Sequence, residues 1–108
     1  MSDEFLAYVG SRDIHDAVIL RVETTQQSMT VFLKAYEGRH FAVRFYGVSS
    51  YEAQDAEGMM LYALSETSGA SPLHKFHFLN WDEEDPAQLE IVAEGFETLD
   101  TVSDAEKD

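Results

Sequence analysis

Met29-Thr30-Val31-Phe32-Leu33-Lys34-Ala35-Tyr36, Glu37-Gly38-Arg39, His40-Phe41-Ala42-Val43-Arg44-Phe45-Tyr46: the fold turns on how these residues are read. Met29, Val31, Leu33 and Ala35 fall on one face of the first run, and Phe41, Val43 and Phe45 on one face of the last. A period of two is that of a strand. Opposed residues of an antiparallel hairpin point the same way, and a slip of one residue inverts every side chain. Pairing Leu33 with Val43 and Ala35 with Phe41 joins the two apolar stripes and leaves Glu37-Gly38-Arg39 as a three-residue loop. Such loops hold one residue in the left-handed region, a role suited to Gly38. A two-residue Glu37-Gly38 turn would set Lys34 against Phe41 on the core face and is rejected.

The same alternation extends outward in both directions. Upstream, Ile14–Thr24 reads as a strand with Val18, Leu20 and Val22 on one face and Ile19, Arg21 and Glu23 on the other. Joining it to the next strand requires an even loop, and a four-residue Thr24–Gln27 connection fits. Before it, Ser2 or Asp3 is placed to cap a short helical turn carrying Phe5, Leu6 and Val9, with Gly10 ending it. Downstream, Gly47–Gly58 reads as a long polar connection. Met59–Ser65 is an apolar run of strand length, with a short helix over 59–66 as the alternative. Leu73–Trp81 and Gln88–Phe96 complete the series, with Phe76 and Phe78 on one face of the first opposite Lys75 and His77, and Leu89, Ile91 and Ala93 on one face of the second opposite Glu90.

About six strands in this order predict a mostly β fold, an antiparallel meander in a curved sheet or open barrel, with a helical turn at the N-terminus. A helix at 59–66 would make it α+β. No linker interrupts the chain, so residues 1–99 are expected to form a single domain and the acidic residues 100–108 a disordered tail.

Composition bounds the partners. There are 21 acidic residues against 7 basic ones, a net charge of −14. Phosphate contact needs a basic stripe, and none is present, so nucleic acid and anionic membranes are not expected partners. A basic protein is. The absence of cysteine removes disulfides, zinc–thiolate sites and thiol catalysis. There is no secretory signal pattern and no apolar run of membrane-spanning length, which leads to the expectation of a cytoplasmic protein.

Ile14-His15-Asp16-Ala17-Val18-Ile19 opens the sheet and Leu89-Glu90-Ile91-Val92-Ala93 closes it. A His-Asp-Ala strand entry followed by a β-meander and a Leu-Glu-Ile-x-Ala strand resembles small uncharacterised bacterial β-rich proteins, some of them similar to immunity proteins of polymorphic toxin systems. The resemblance implies a non-catalytic protein that occludes a toxin by binding it. It assigns no residue a role.

Motifs for chemistry are sparse. The chain has no Gly-x-Ser-x-Gly elbow and no glycine-rich phosphate loop, so no enzyme and no cofactor are predicted. Asp82-Glu83-Glu84-Asp85 lacks the alternating ligands of a calcium loop and reads as a solvated face or a docking surface for basic groups. With the neighbouring Trp81, residues Asp82, Glu83 and Glu84 are the candidate partner-binding set. Phe32, Tyr36, Tyr46, Tyr51, Tyr62 and Trp81 are aromatics of which several lie opposite the core stripe, suited to a binding surface, a homodimer contact or a second core. His15, Asp16 and His77 form the alternative set, lining the mouth of a barrel that binds a small ligand or a divalent metal. On a regular strand His15 and Asp16 would point to opposite faces; a turn at Ile14 removes that objection. The leading expectation is a protein-interaction domain with a basic partner.

Overall fold

The structure, a computed structural model, describes residues 5–10, 12–69, 72–82 and 84–100. Its strands are β1 (Phe5–Val9), β2 (Val18–Thr24), β3 (Ser28–Lys34), β4 (His40–Tyr46), β5 (Ser50–Gln54), β6 (Leu61–Ser68), β7 (His74–Asn80), β8 (Gln88–Ala93) and β9 (Gly95–Asp100). All pairings are antiparallel, in a five-stranded sheet ordered β1-β6-β7-β8-β5 and a four-stranded sheet ordered β2-β3-β4-β9. The fold is mostly β, as the alternation predicts. Instead of one meander of six strands, the consecutive hairpins β2-β3-β4 and β6-β7-β8 are extended by non-consecutive strands into two antiparallel sheets that face each other, and among the described residues no barrel closes.

Two corners join the sheets. β4 and β5 run against β9 and β8 as one long ribbon, bent at Gly47 and Glu94 and shared by both sheets. Glu94 N–H donates to Tyr46 C=O and Ser49 N–H to Val92 C=O across the bend. At the other corner the start of β2 zips to the residues before β6. Ile19 N–H donates to Met59 C=O and Leu61 N–H to Ala17 C=O, around a bridge between Val18 and Met60. The core lies between the sheets. Phe45 of β4 packs its ring against Phe76 and Phe78 of β7 at 5.2 and 5.8 Å and against Phe96 of β9 at 5.9 Å.

Each departure from the expected strands has a local cause. Phe5–Val9 is a strand, not a helical turn; Phe, Tyr and Val favour the pleated surface, and β6 offers an edge to pair with. The helical turn comes later, a 3-10 turn at Arg12–Ile14, after Gly10. The long connection at 47–58 contains β5, because β8 has an edge that Ser50–Gln54 satisfies. Residues 61–68 are a strand, which removes the helical alternative. The last strand runs on through β9 once it turns the corner, so Asp100, assigned to the tail, lies opposite Phe41. Residues 101–108 of that tail lie outside the described residues.

The central hairpin keeps its parity but slips by two residues. Leu33 faces Phe41, Lys34 faces His40, and the loop is Tyr36-Glu37-Gly38. Gly38 has φ +103° and so occupies the third loop position, where a left-handed residue follows a tight turn. In the expected register it would have stood at the centre of the loop. The first hairpin sets Thr24 opposite Met29, and Thr25 N–H donates to Ser28 C=O at 2.9 Å, so the chain reverses at Gln26-Gln27 in place of the expected four-residue Thr24–Gln27 connection.

β2 departs most. Its register shifts between Ile19 and Arg21, so Leu20 is an extra, bulged residue. The inward residues become Ile19, fully buried, and Val22, half-buried, while Leu20 is exposed. The predicted Val18, Leu20, Val22 stripe is broken by that one insertion. Similar bulges fall in β1, between Phe5 and Ala7, and in β6, between Leu61 and Ala63.

The aromatics opposite the core have divided fates. Ala42 of that face is buried and Phe32 lies under the Arg21 guanidinium, 3.9 Å from the ring centroid, while Tyr36 and Tyr46 are exposed. Among the described residues no helix is long and apolar enough to cross a membrane.

Candidate functional site

The bulge in β6 decides where the candidate site forms. Leu61 and Leu64 both point into the core, three residues apart, because Tyr62 is the residue the ladder skips. Its ring is thereby aimed outward, and bulges recur where a side chain must be re-aimed. The bulge in β1 acts the same way on Phe5 and Tyr8, whose rings touch at 5.2 Å.

Around Tyr62 the rings form one connected group. Tyr8 lies 6.4 Å away at 87° and Trp81 5.1 Å away at 82°. His15 stands 5.6 Å from Tyr62 and 5.4 Å from Trp81. Such edge-to-face pairs favour the ring quadrupoles. Yet Phe5, Tyr8, Tyr62 and Trp81 remain 55, 60, 43 and 45% exposed. This connected aromatic surface, left open to water, sets the face apart as the candidate site.

Hydrogen bonds hold the group in place. Trp81 Nε1–H donates to Asp16 Oδ1 at 2.7 Å, and Trp81 N–H to Met60 C=O at 3.1 Å. His15 Nδ1 lies 3.0 Å from the Tyr62 carbonyl oxygen. His15 Nε2 comes within 3.8 Å of Asp16 Oδ2. These two residues sit in the turn between Ile14 and Ala17, and both reach Trp81. Asp16 has φ +71°, a conformation that costs a non-glycine residue about 1–2 kcal/mol and that aspartate tolerates better than most. Its N–H is anchored on Leu61 C=O at 2.8 Å.

Beside the rings lies a groove of about 630 Å³. Tyr8, Tyr62, Trp81, His77, Asp82 and Asp85 are among its lining residues; among the described residues no serine, threonine, cysteine, lysine or arginine lines it. Its acidic rim is ordered by the β7–β8 loop. Asp82 Oδ1 accepts from Glu84 N–H and Asp85 Oδ1 from Ala87 N–H, both at 3.0 Å. Asn80 Oδ1 accepts from Asp82 N–H at 2.9 Å.

Of the two predicted sets, Trp81 and Asp82 of the partner-binding set share this face with His15, Asp16 and His77 of the ligand set. Glu84 stands exposed in the same loop, and Glu83 lies outside the described residues. The ligand set does not assemble as a mouth of three donors: Asp16 is engaged with the indole, and His77 lies in β7 opposite Glu90 and Ser65. Among the described residues no group of three or more His, Cys, Asp or Glu side chains is arranged to hold a metal ion. Tyr8 and Asp85 are additions that alternation alone does not disclose. Tyr8 is brought in by the pairing of β1 with β6, and Asp85 by the fold of the acidic loop.

Comparison with protein-family models, with curated proteins and with solved structures finds no match to this chain.

Proposed function

We propose that this chain is a non-catalytic protein-interaction domain, immunity-like in its mode of action, that binds a basic partner through the face built around Trp81. The observation that carries this reading is the exposed, connected group of Tyr8, Tyr62, His15 and Trp81 beside an acidic rim. Tyr and Trp are the side chains most enriched at binding hot spots. They bury large area at little entropic cost once pinned, and here the indole is already pinned. The charge of −14 supplies long-range attraction to a basic surface and repels acidic ones.

The test is capture from lysate of the source cells, with the wild-type chain and a Tyr62→Ala/Trp81→Ala chain as paired baits and a salt gradient for release. The expected result is a basic protein that leaves the wild-type bait in the salt step and is missing from the variant. Capture that neither salt nor the substitutions change would sink the reading.

A further inference from the structure

We infer that the groove beside Trp81 receives the guanidinium of an arginine side chain presented by the partner, an inference that rests on the interaction reading above. The groove has the two features this group needs. The first is aromatic faces. Tyr8 and Trp81 each stand nearly perpendicular to Tyr62, so the lining offers ring faces in more than one direction. A cation over such a face is attracted by the ring quadrupole, Trp being the strongest. The second is negative charge. Asp82 and Asp85 border the same space, and among the described residues no lysine or arginine lines it.

Geometry favours arginine over lysine. Each of the two aspartates uses Oδ1 to hold its own loop, which orients the carboxylate in advance. A planar guanidinium stacks on a ring while its edge donates to a carboxylate; an ammonium is a more strongly hydrated point charge and does not stack. The chain already packs one such pair within itself, the Arg21 guanidinium on the Phe32 ring. A volume of about 630 Å³ exceeds one side chain and leaves room for the backbone that carries it. The Asp16–indole hydrogen bond keeps Trp81 in position before anything binds, which lowers the ordering cost of association.

Trp81 is the only tryptophan, so its emission reports the groove alone. The experiment titrates the whole chain with a short glycine–serine peptide bearing arginines, with its lysine counterpart, and with its citrulline counterpart, which keeps the shape and loses the charge. Saturable change in emission with the arginine peptide is expected, with about tenfold weaker binding of the lysine peptide and none of citrulline. The Asp82→Asn/Asp85→Asn chain keeps both Oδ1 acceptors, and hence the loop, while removing the charge. Its affinity for the arginine peptide should fall about tenfold or more, with the emission of the free chain unchanged. Equal binding of arginine and lysine peptides, or binding unaffected by the Asn pair, overturns the arginine assignment and leaves the interaction reading standing. No response to any basic peptide, together with no salt-released partner in the capture experiment, removes both.

Discussion

At the scale of single residues, Asp16 has two distinct tasks. Its backbone takes a positive φ at the entry to β2, and its carboxylate holds the Trp81 indole. Asp16→Asn keeps an oxygen at Oδ1 and tolerates the same backbone region, so its effect on folding should stay below about 1 kcal/mol. Asp16→Ala loses the acceptor and keeps the strain, and should cost about 1–3 kcal/mol. Urea denaturation of both variants checks this: a shift in midpoint at constant slope for the alanine chain, and little for the asparagine chain. The importance of Trp81 and of the His15-Asp16 pair could be read from the sequence, since a lone tryptophan beside an acidic run and a polar pair at a strand entry are visible locally. Their meeting could not. Sixty-five positions separate Asp16 from Trp81, and only the zipping of the β2 entry onto Met59–Leu61 brings them together.

At the scale of elements, bulges and loops govern what a strand buries. Counting by twos predicts Leu20 inside and Ile19 outside, while the bulge in β2 reverses them. Ile19→Ala should therefore destabilise the fold by about 2–5 kcal/mol. Leu20→Ala should change it by less than about 0.5 kcal/mol. Thermal or chemical unfolding of the pair decides between the bulged and the unbulged strand, and equal effects would contradict the bulge. In the central hairpin, Gly38→Ala places a Cβ on a residue with φ +103° and should cost about 1–2 kcal/mol although nothing lies within 4 Å of that Cβ. The same denaturation assay reads it. The stripes of β3, β4, β7 and β8 were legible because none of those strands carries the extra residue of a bulge. β1, β2 and β6 were less so, because an extra residue in a strand leaves no mark on composition and inverts every parity beyond it.

At the scale of the whole molecule, the charge distribution bears on stability as well as on the proposed recognition. Twenty-one acidic side chains against 7 basic ones repel one another across a domain with a radius of gyration of 13.2 Å. At 0.1 M salt the screening length is about 10 Å, so added salt relieves much of this repulsion. Calorimetry from low to moderate sodium chloride should show Tm rising by about 4–8 °C, the equivalent of about 1 kcal/mol for a domain of this size. A Tm that fell with salt would mean that native ion pairs such as Arg39 with Asp13 and Glu37 outweigh the repulsion. The sequence by itself determined the β class, the inward stripes of the regular strands, the acidic composition and the residue types from which the proposed binding face is made. Those follow from local periodicity and from summed charge, which need no knowledge of what lies across the molecule. Only the tertiary structure decided the division into two sheets, the ribbon they share and the aromatic group around Tyr62. These depend on which distant strand edges pair, and on bulges that a strand accepts because its partner and the core reward the re-aimed side chains.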